Sequence, residues 1–138
     1  MSEMEPTGAL VLIVEDNVKN MKLARDLLTY HGFRTLAAGN ATDGIALARE
    51  HCPDLVLMDI QLPDMDGTAA LKELRASPVT AGLRVVALTA FAMREDEERL
   101  RSAGFDGYLA KPIDVREFPG QVRRFCEQGL PTRNEEQR

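Results

Sequence analysis

The chain has no tryptophan, two cysteines and two histidines, and aromatics make up 5% of its 138 residues. Each shortage excludes something. So few aromatics leave no stacking platform for nucleic-acid bases. A net charge of -5, with a pI near 5.1, leaves no basic surface to hold a phosphate backbone. Direct nucleic-acid binding is therefore not expected. Cys52 and Cys126 are isolated, with no CxxC pair and no Cys/His spacing that would hold zinc, as is usual in a reduced compartment. His31 and His51 fall near predicted helix ends, where an imidazole can face the terminal carbonyls. No apolar run approaches the roughly 20 residues of a membrane span. The acidic stretch Met1 to Glu5 does not resemble a secretory signal. A cytoplasmic protein without membrane contact is expected.

What is present is alternation. Short apolar runs near 9–15, 33–38, 54–58, 83–88 and 106–110 are separated by longer amphipathic segments, the pattern of five βα units in one domain. That domain is expected to span 9–128, with 1–8 and 129–138 as flexible tails. The spacing of Val18, Met21, Ala24, Leu27 and Leu28 predicts a first helix over about 17–31, with Gly32 at its C-terminal end. A second helix should start from an Asn40 cap, bury Ala41, Ile45 and Ala48, and stop before Pro53. A third follows Asp66-Gly67 and turns Leu71 and Leu74 inward, and a fourth carries Met93, Asp96, Leu100 and Ala103 up to Gly104.

The fifth helical segment conflicts with itself. Asp114 with Glu117 three residues on is a near capping box, but Pro119-Gly120 follows where a helix interior would lie. Either a short first turn ends in a kink, or the helix properly begins near Pro119 and runs through Val122 and Phe125.

The apolar runs end in chemistry. Leu10-Val11-Leu12-Ile13-Val14 leads into Glu15-Asp16, Leu55-Val56-Leu57-Met58 into Asp59, and two later runs into Thr89 and Lys111-Pro112. Strands joined by helices run parallel with right-handed crossovers, and such sheets bind ligands beyond the carboxyl ends of their strands. If the first, third, fourth and fifth strands are neighbours, Glu15, Asp16 and Asp59 crowd together, with Thr89 and Lys111 beside them. At an effective dielectric near 20, two like charges 4 Å apart cost about 4 kcal/mol. Lys111 offsets part of this, and a hard divalent ion such as Mg²⁺ is the natural remedy for an all-oxygen set. Asp16 and Asp59 are the expected direct ligands, Glu15 acts through water, and the Gln61 backbone carbonyl completes the protein share. The arrangement suits phosphoryl transfer to Asp59, with Lys111 neutralising the incoming phosphoryl oxygens. Thr89 can swing to bond a phosphoryl oxygen, and Tyr108 can move into the space it leaves.

Val14-Glu15-Asp16-Asn17, Leu57-Met58-Asp59-Ile60 with Pro63-Asp64-Met65-Asp66-Gly67, Leu88-Thr89-Ala90 and Tyr108-Leu109-Ala110-Lys111-Pro112 together resemble the receiver domains of two-component response regulators. The resemblance covers about 9–127. It implies a doubly wound, flavodoxin-like α/β fold with five parallel strands in the order 2-1-3-4-5 and five helices. It implies phosphorylation of Asp59 by a histidine kinase or histidine phosphotransfer protein, with Mn²⁺ able to replace Mg²⁺. It also implies a cis Lys111-Pro112 peptide, and signalling to a downstream protein target through the face of the fourth helix, fifth strand and fifth helix. The protein would be a monomer or a weak phosphorylation-dependent dimer. Phe91, Met93 and Tyr108 would belong to the partner face. In such domains Gln61 and Phe91 flank the path of the hydrolytic water. An apolar Phe91 cannot orient that water, so a long-lived phosphoryl group is expected.

Four other readings can be set against these residues. A receiver excised from a larger regulator or hybrid kinase would carry the same residues. A haloacid-dehalogenase-like phosphatase also uses an aspartyl nucleophile and Mg²⁺, but places a second Asp two residues after the first, where Gln61 stands here. A pseudo-receiver typically lacks Asp59 or Lys111, and both are present. A calcium loop from Asp64 and Asp66 fails because its twelfth position is Arg75, not a bidentate Glu.

Overall fold

A computed structural model describes residues 8–90 and 94–128. Five strands, β1 (Leu10–Val14), β2 (Arg34–Ala38), β3 (Leu55–Asp59), β4 (Val85–Thr89) and β5 (Gly107–Ala110), form one parallel sheet in the order β2-β1-β3-β4-β5. Helices α1 (Val18–Tyr30), α2 (Ala41–His51), α3 (Gly67–Ala76), α4 (Arg94–Ala103) and α5 (Phe118–Gln128) connect and cover it. This is the expected doubly wound, flavodoxin-like architecture. No helix among the described residues is long and apolar enough to cross a membrane.

The central strands are apolar at successive positions because both their faces are covered. Alternation divides their side chains between two cores. Leu12, Val14, Val56, Met58, Val85 and Ala87 pack under α2, α3 and α4 with Ile45, Leu71, Leu74 and Leu100. Val11, Ile13, Leu55, Leu57, Val86 and Leu88 pack under α1 and α5 with Leu28, Phe118 and Val122.

The helix boundaries follow local chemistry. Asn17 caps α1, its Oδ1 accepting from the Asn20 N–H at 2.9 Å, and Gly32 just past its end has a φ of 94°. Val18, which opens the apolar spacing that marks α1, is 79% exposed. Ala103 at the end of α4 is likewise exposed, so Leu100 is the buried anchor among that helix's described side chains.

The conflict at Pro119 resolves in favour of the second alternative. Asp114 Oδ1 accepts from the N–H groups of Arg116 and Glu117 at 2.9 and 3.1 Å, forming a turn, and α5 then begins at Phe118. Pro119 thus lies in the first turn, where a backbone N–H would have no intrahelical acceptor.

At the opposite edge of the sheet from the acid-bearing loops, Arg75 ties three segments together. Its guanidinium donates to the carbonyls of Ala81, Leu83 and Gly104 and to Asp106 Oδ2, at 2.5–3.1 Å.

Candidate functional site

Each acidic group is placed by the end of a strand. Glu15 continues β1, its N–H donating to the Ala38 carbonyl at 3.0 Å, and it is buried to 3% exposure. Its Oε2 accepts from the Asn17 N–H at 3.0 Å, so the turn that starts α1 also fixes this carboxylate. Asp16, between them, is exposed on the rim. Asp59 closes β3, also 3% exposed, and its Oδ1 accepts from the Gln61 N–H at 2.9 Å. The following loop folds back on itself: the Gly67 N–H donates to the Ile60 carbonyl at 2.7 Å, and Gln61 and Asp66 form an isolated bridge. A glycine is required at 67, because a Cβ there would lie 2.6 Å from the Asp59 carbonyl oxygen and 2.8 Å from the Ile60 Cα.

Lys111 directly follows β5 and is joined to Pro112 by the cis peptide that the resemblance implied. Its N–H donates to the Thr89 carbonyl at 2.8 Å, which directs the side chain back over the sheet's edge. Its ammonium donates to Asp59 Oδ2 at 2.9 Å and to Glu15 Oε1 at 3.4 Å. Both Asp59 oxygens therefore have fixed donors.

One oxygen from each of Glu15, Asp16 and Asp59 lies within 4.8 Å of the others. Burial pushes the Glu15 carboxyl above its ordinary range; the Asn17 amide works against this and the Asp59 charge reinforces it. Burial works against the Lys111 ammonium, but the hydrogen bond and charge of Asp59, with those of Glu15, outweigh it and raise its pKa. One amine facing three carboxylates leaves the cluster short of positive charge. These residues, with Asn17 and Gln61, line a cleft of about 590 Å³. An all-oxygen donor set in a hydrated cleft fits a hard divalent cation such as Mg²⁺.

The remaining expected residues have different positions. Thr89 is buried at the end of β4, paired in register with Ala110 next to Lys111. Tyr108 lies outside the cleft, packed against the core under α2, α3 and α4 and bordering a small cavity of about 130 Å³ with Gln121, Arg124 and Phe125. Phe91 and Met93, and with Phe91 the expectation of a long-lived phosphoryl group, lie outside the described residues, as do the tails 1–7 and 129–138. Sequence reasoning met Asp64 only in the loop motif and in a rejected calcium loop, and did not find that it holds the start of α2 from 22 and 23 positions away. No periodicity or spacing could have shown that contact.

A doubly wound five-stranded sheet with three acids and a lysine converging at its carboxyl edge is the architecture of a receiver domain. The family profile described as the response regulator receiver domain matches residues 11–123, and the chain belongs to that family. It is 46% identical to the polar-differentiation response regulator DivK of Brucella anthropi over 115 residues, covering 83% of this chain and 94% of that one. With DivK of Brucella ovis the identity is 45% over the same shares. The receiver domain of the sensor histidine kinase PA1611 from Pseudomonas aeruginosa, solved with a magnesium ion coordinated in its active-site cleft, is similar at 32% identity and a TM-score of 0.78, covering 87% of this chain and 98% of that one. A CheY-like receiver domain protein from Methanospirillum hungatei matches at 26% identity and a TM-score of 0.78, over 88% and 95% of the two chains.

Proposed function

We propose that the chain is a phospho-accepting switch in which Asp59 takes a phosphoryl group from a histidine kinase or histidine phosphotransfer protein. The observation that carries this reading is the Lys111 ammonium bridging Asp59 and Glu15 over a cleft that Asp16 and Gln61 complete. An Asp59 oxygen attacks phosphorus, the bond from phosphorus to the donor's imidazole nitrogen breaks, and the imidazole leaves. Lys111 sits where it can exchange part of its pairing with Asp59 for the phosphoryl oxygens. Glu15, Asp16, Asp59 and the Gln61 carbonyl would hold Mg²⁺, with Mn²⁺ as a substitute. The ion supplies charge neutralisation for an oxygen-rich transition state. The magnesium in the cleft of the PA1611 receiver supports this assignment.

The acyl phosphate adds negative charge at the edge of β3. In this reading Thr89, buried at the end of the neighbouring strand, bonds it, and Tyr108 follows towards a partner face on α4, β5 and α5. A downstream protein target reads that face, with the protein acting as a monomer or a weak phosphorylation-dependent dimer. Likeness to the polar-differentiation response regulator DivK supports a regulatory role.

Incubation with beryllofluoride or acetyl phosphate and Mg²⁺, followed by intact mass and the NMR shifts of Tyr108, tests the reading. A metal-dependent adduct that Asp59→Ala lacks is expected. Steady turnover of phosphomonoesters, or no metal-dependent change, would overturn it.

A further inference from the structure

Asp64 is exposed and is not a member of the acid cluster, yet it is tightly engaged. Its Oδ1 accepts from the Ala41 N–H at 2.9 Å, and its Oδ2 from the Thr42 N–H at 2.9 Å and the Thr42 hydroxyl at 2.7 Å. Ala41 and Thr42 open α2, whose first N–H groups have no intrahelical acceptors. The helix already has a local cap, since Asn40 Oδ1 accepts from the Asp43 N–H at 2.8 Å. A second capping side chain, brought in from a distant loop, does more than end a helix. It fastens that loop to α2.

The loop's other attachments lead to the phosphoacceptor. Gln61 donates its N–H to Asp59 Oδ1 and bridges Asp66, while Asp66 Oδ1 accepts from the Thr68 N–H at 2.7 Å and so caps α3. Two aspartates two residues apart thus pin one loop to the starts of two different helices. Gln61, three residues before Asp64 in that loop and bridged to Asp66, carries the amide that orients the Asp59 carboxylate and the carbonyl assigned to the metal.

We propose that Asp64 is a positioning residue, its clamp on the α2 N-terminus holding Gln61, and through it the Asp59 carboxylate, in the geometry that binds the cation and accepts phosphoryl. The inference rests on the phosphoacceptor reading of the site. Loop positioning is separable from simple helix stabilisation, because Asn40 caps the same helix through hydrogen bonds to Asp43 within that helix.

Asp64→Ala and Asn40→Ala are compared by hydrogen exchange of the Gln61 and Gly67 amides in metal-free protein, and by Mg²⁺ titration followed by NMR. Both variants should lower thermal stability. Asp64→Ala alone should speed exchange at Gln61 and Gly67 and weaken Mg²⁺ binding by on the order of tenfold. Asp64→Asn keeps one acceptor oxygen and should fall between wild type and Asp64→Ala; it replaces Asp64→Ala in the comparison if that variant does not fold. Equal effects of the Asn40 and Asp64 variants on both readouts, or none from either, would overturn the clamp. Wild-type protein that binds no Mg²⁺ would overturn the phosphoacceptor reading instead, and the exchange comparison would still decide whether Asp64 holds the loop.

Discussion

The Lys111 ammonium lies 2.9 Å from Asp59 Oδ2, bonded to the carboxylate we assign as nucleophile. In the resting protein it therefore occupies part of the negative field that a divalent cation would use. Lys111→Gln removes that competitor. Mg²⁺ should bind the variant more tightly, on the order of tenfold once solvent screening is allowed for, as measured by calorimetric titration. Beryllofluoride adduct formation should fall over the same preparations, since the phosphoryl oxygens lose their amine. Unchanged Mg²⁺ affinity would mean that Lys111 does not compete for the site.

At Gly67 the constraint is space. Gly67→Ala places a methyl 2.6 Å from the Asp59 carbonyl oxygen, against backbone that cannot yield as a flexible side chain can. Urea denaturation should show a loss of about 1–3 kcal/mol, accompanied by shifted amide resonances at Ile60 and Gln61.

Acid stability should depend on Asp64, which hydrogen bonds from the Ala41 amide, then from Thr42, hold at about 2, below the ordinary 3.8. A lowered carboxyl pKa stabilises the fold above the unfolded value, and that contribution is lost as pH falls through the folded one. The urea midpoint of wild type should therefore exceed that of Asp64→Asn by a constant margin near neutrality. The margin should shrink between about pH 4 and pH 2. A margin independent of pH would contradict the hydrogen-bonding account.

The two thiols should react in sequence. Burial, followed by the charges of Asp54 and Glu127, pushes Cys126 up to about 11, whereas Cys52 is exposed at the end of α2. The Cys126 thiolate, the reactive form, is therefore scarce at mildly alkaline pH. Iodoacetamide should thus label Cys52 first, with Cys126 following only on unfolding, as peptide mass mapping would show.

Helices α4 and α5 should differ in local stability. Among the described side chains, α4 is anchored by buried Leu100, whereas α5 buries Phe118 and Val122 and lays the Phe125 ring where a Cβ on Gly107 would stand, 2.5 Å away. Amides of α4 should exchange faster than those of α5. The reverse order would count against α4 as the more mobile part of the proposed partner face.

What the sequence revealed depended on how far apart the interacting residues lie. Strands buried on both faces read directly as apolar runs, and the acids at their ends became a site because a parallel sheet gathers strand ends on one edge. The cap at Asn40 was equally plain, since its partner Asp43 is three residues away. Val18 shares the apolar spacing of α1 yet stands exposed, since spacing marks a helix without revealing which of its residues the sheet covers. The Pro119 conflict needed the turn at Asp114, which moves the helix start to Phe118. Asp64 with Ala41, and Arg75 with Asp106, join residues 23 and 31 positions apart, so only the folded topology brings them together.

The hydrogen bond from Gly67 to Ile60, the backbone crowding under Gly67 and the two flanking aspartate caps leave the loop after Asp59 no slack. Its side chains can be exchanged to retune the chemistry, but its length cannot. One residue added or removed between Ile60 and Gly67 would force the chain to give up an anchor.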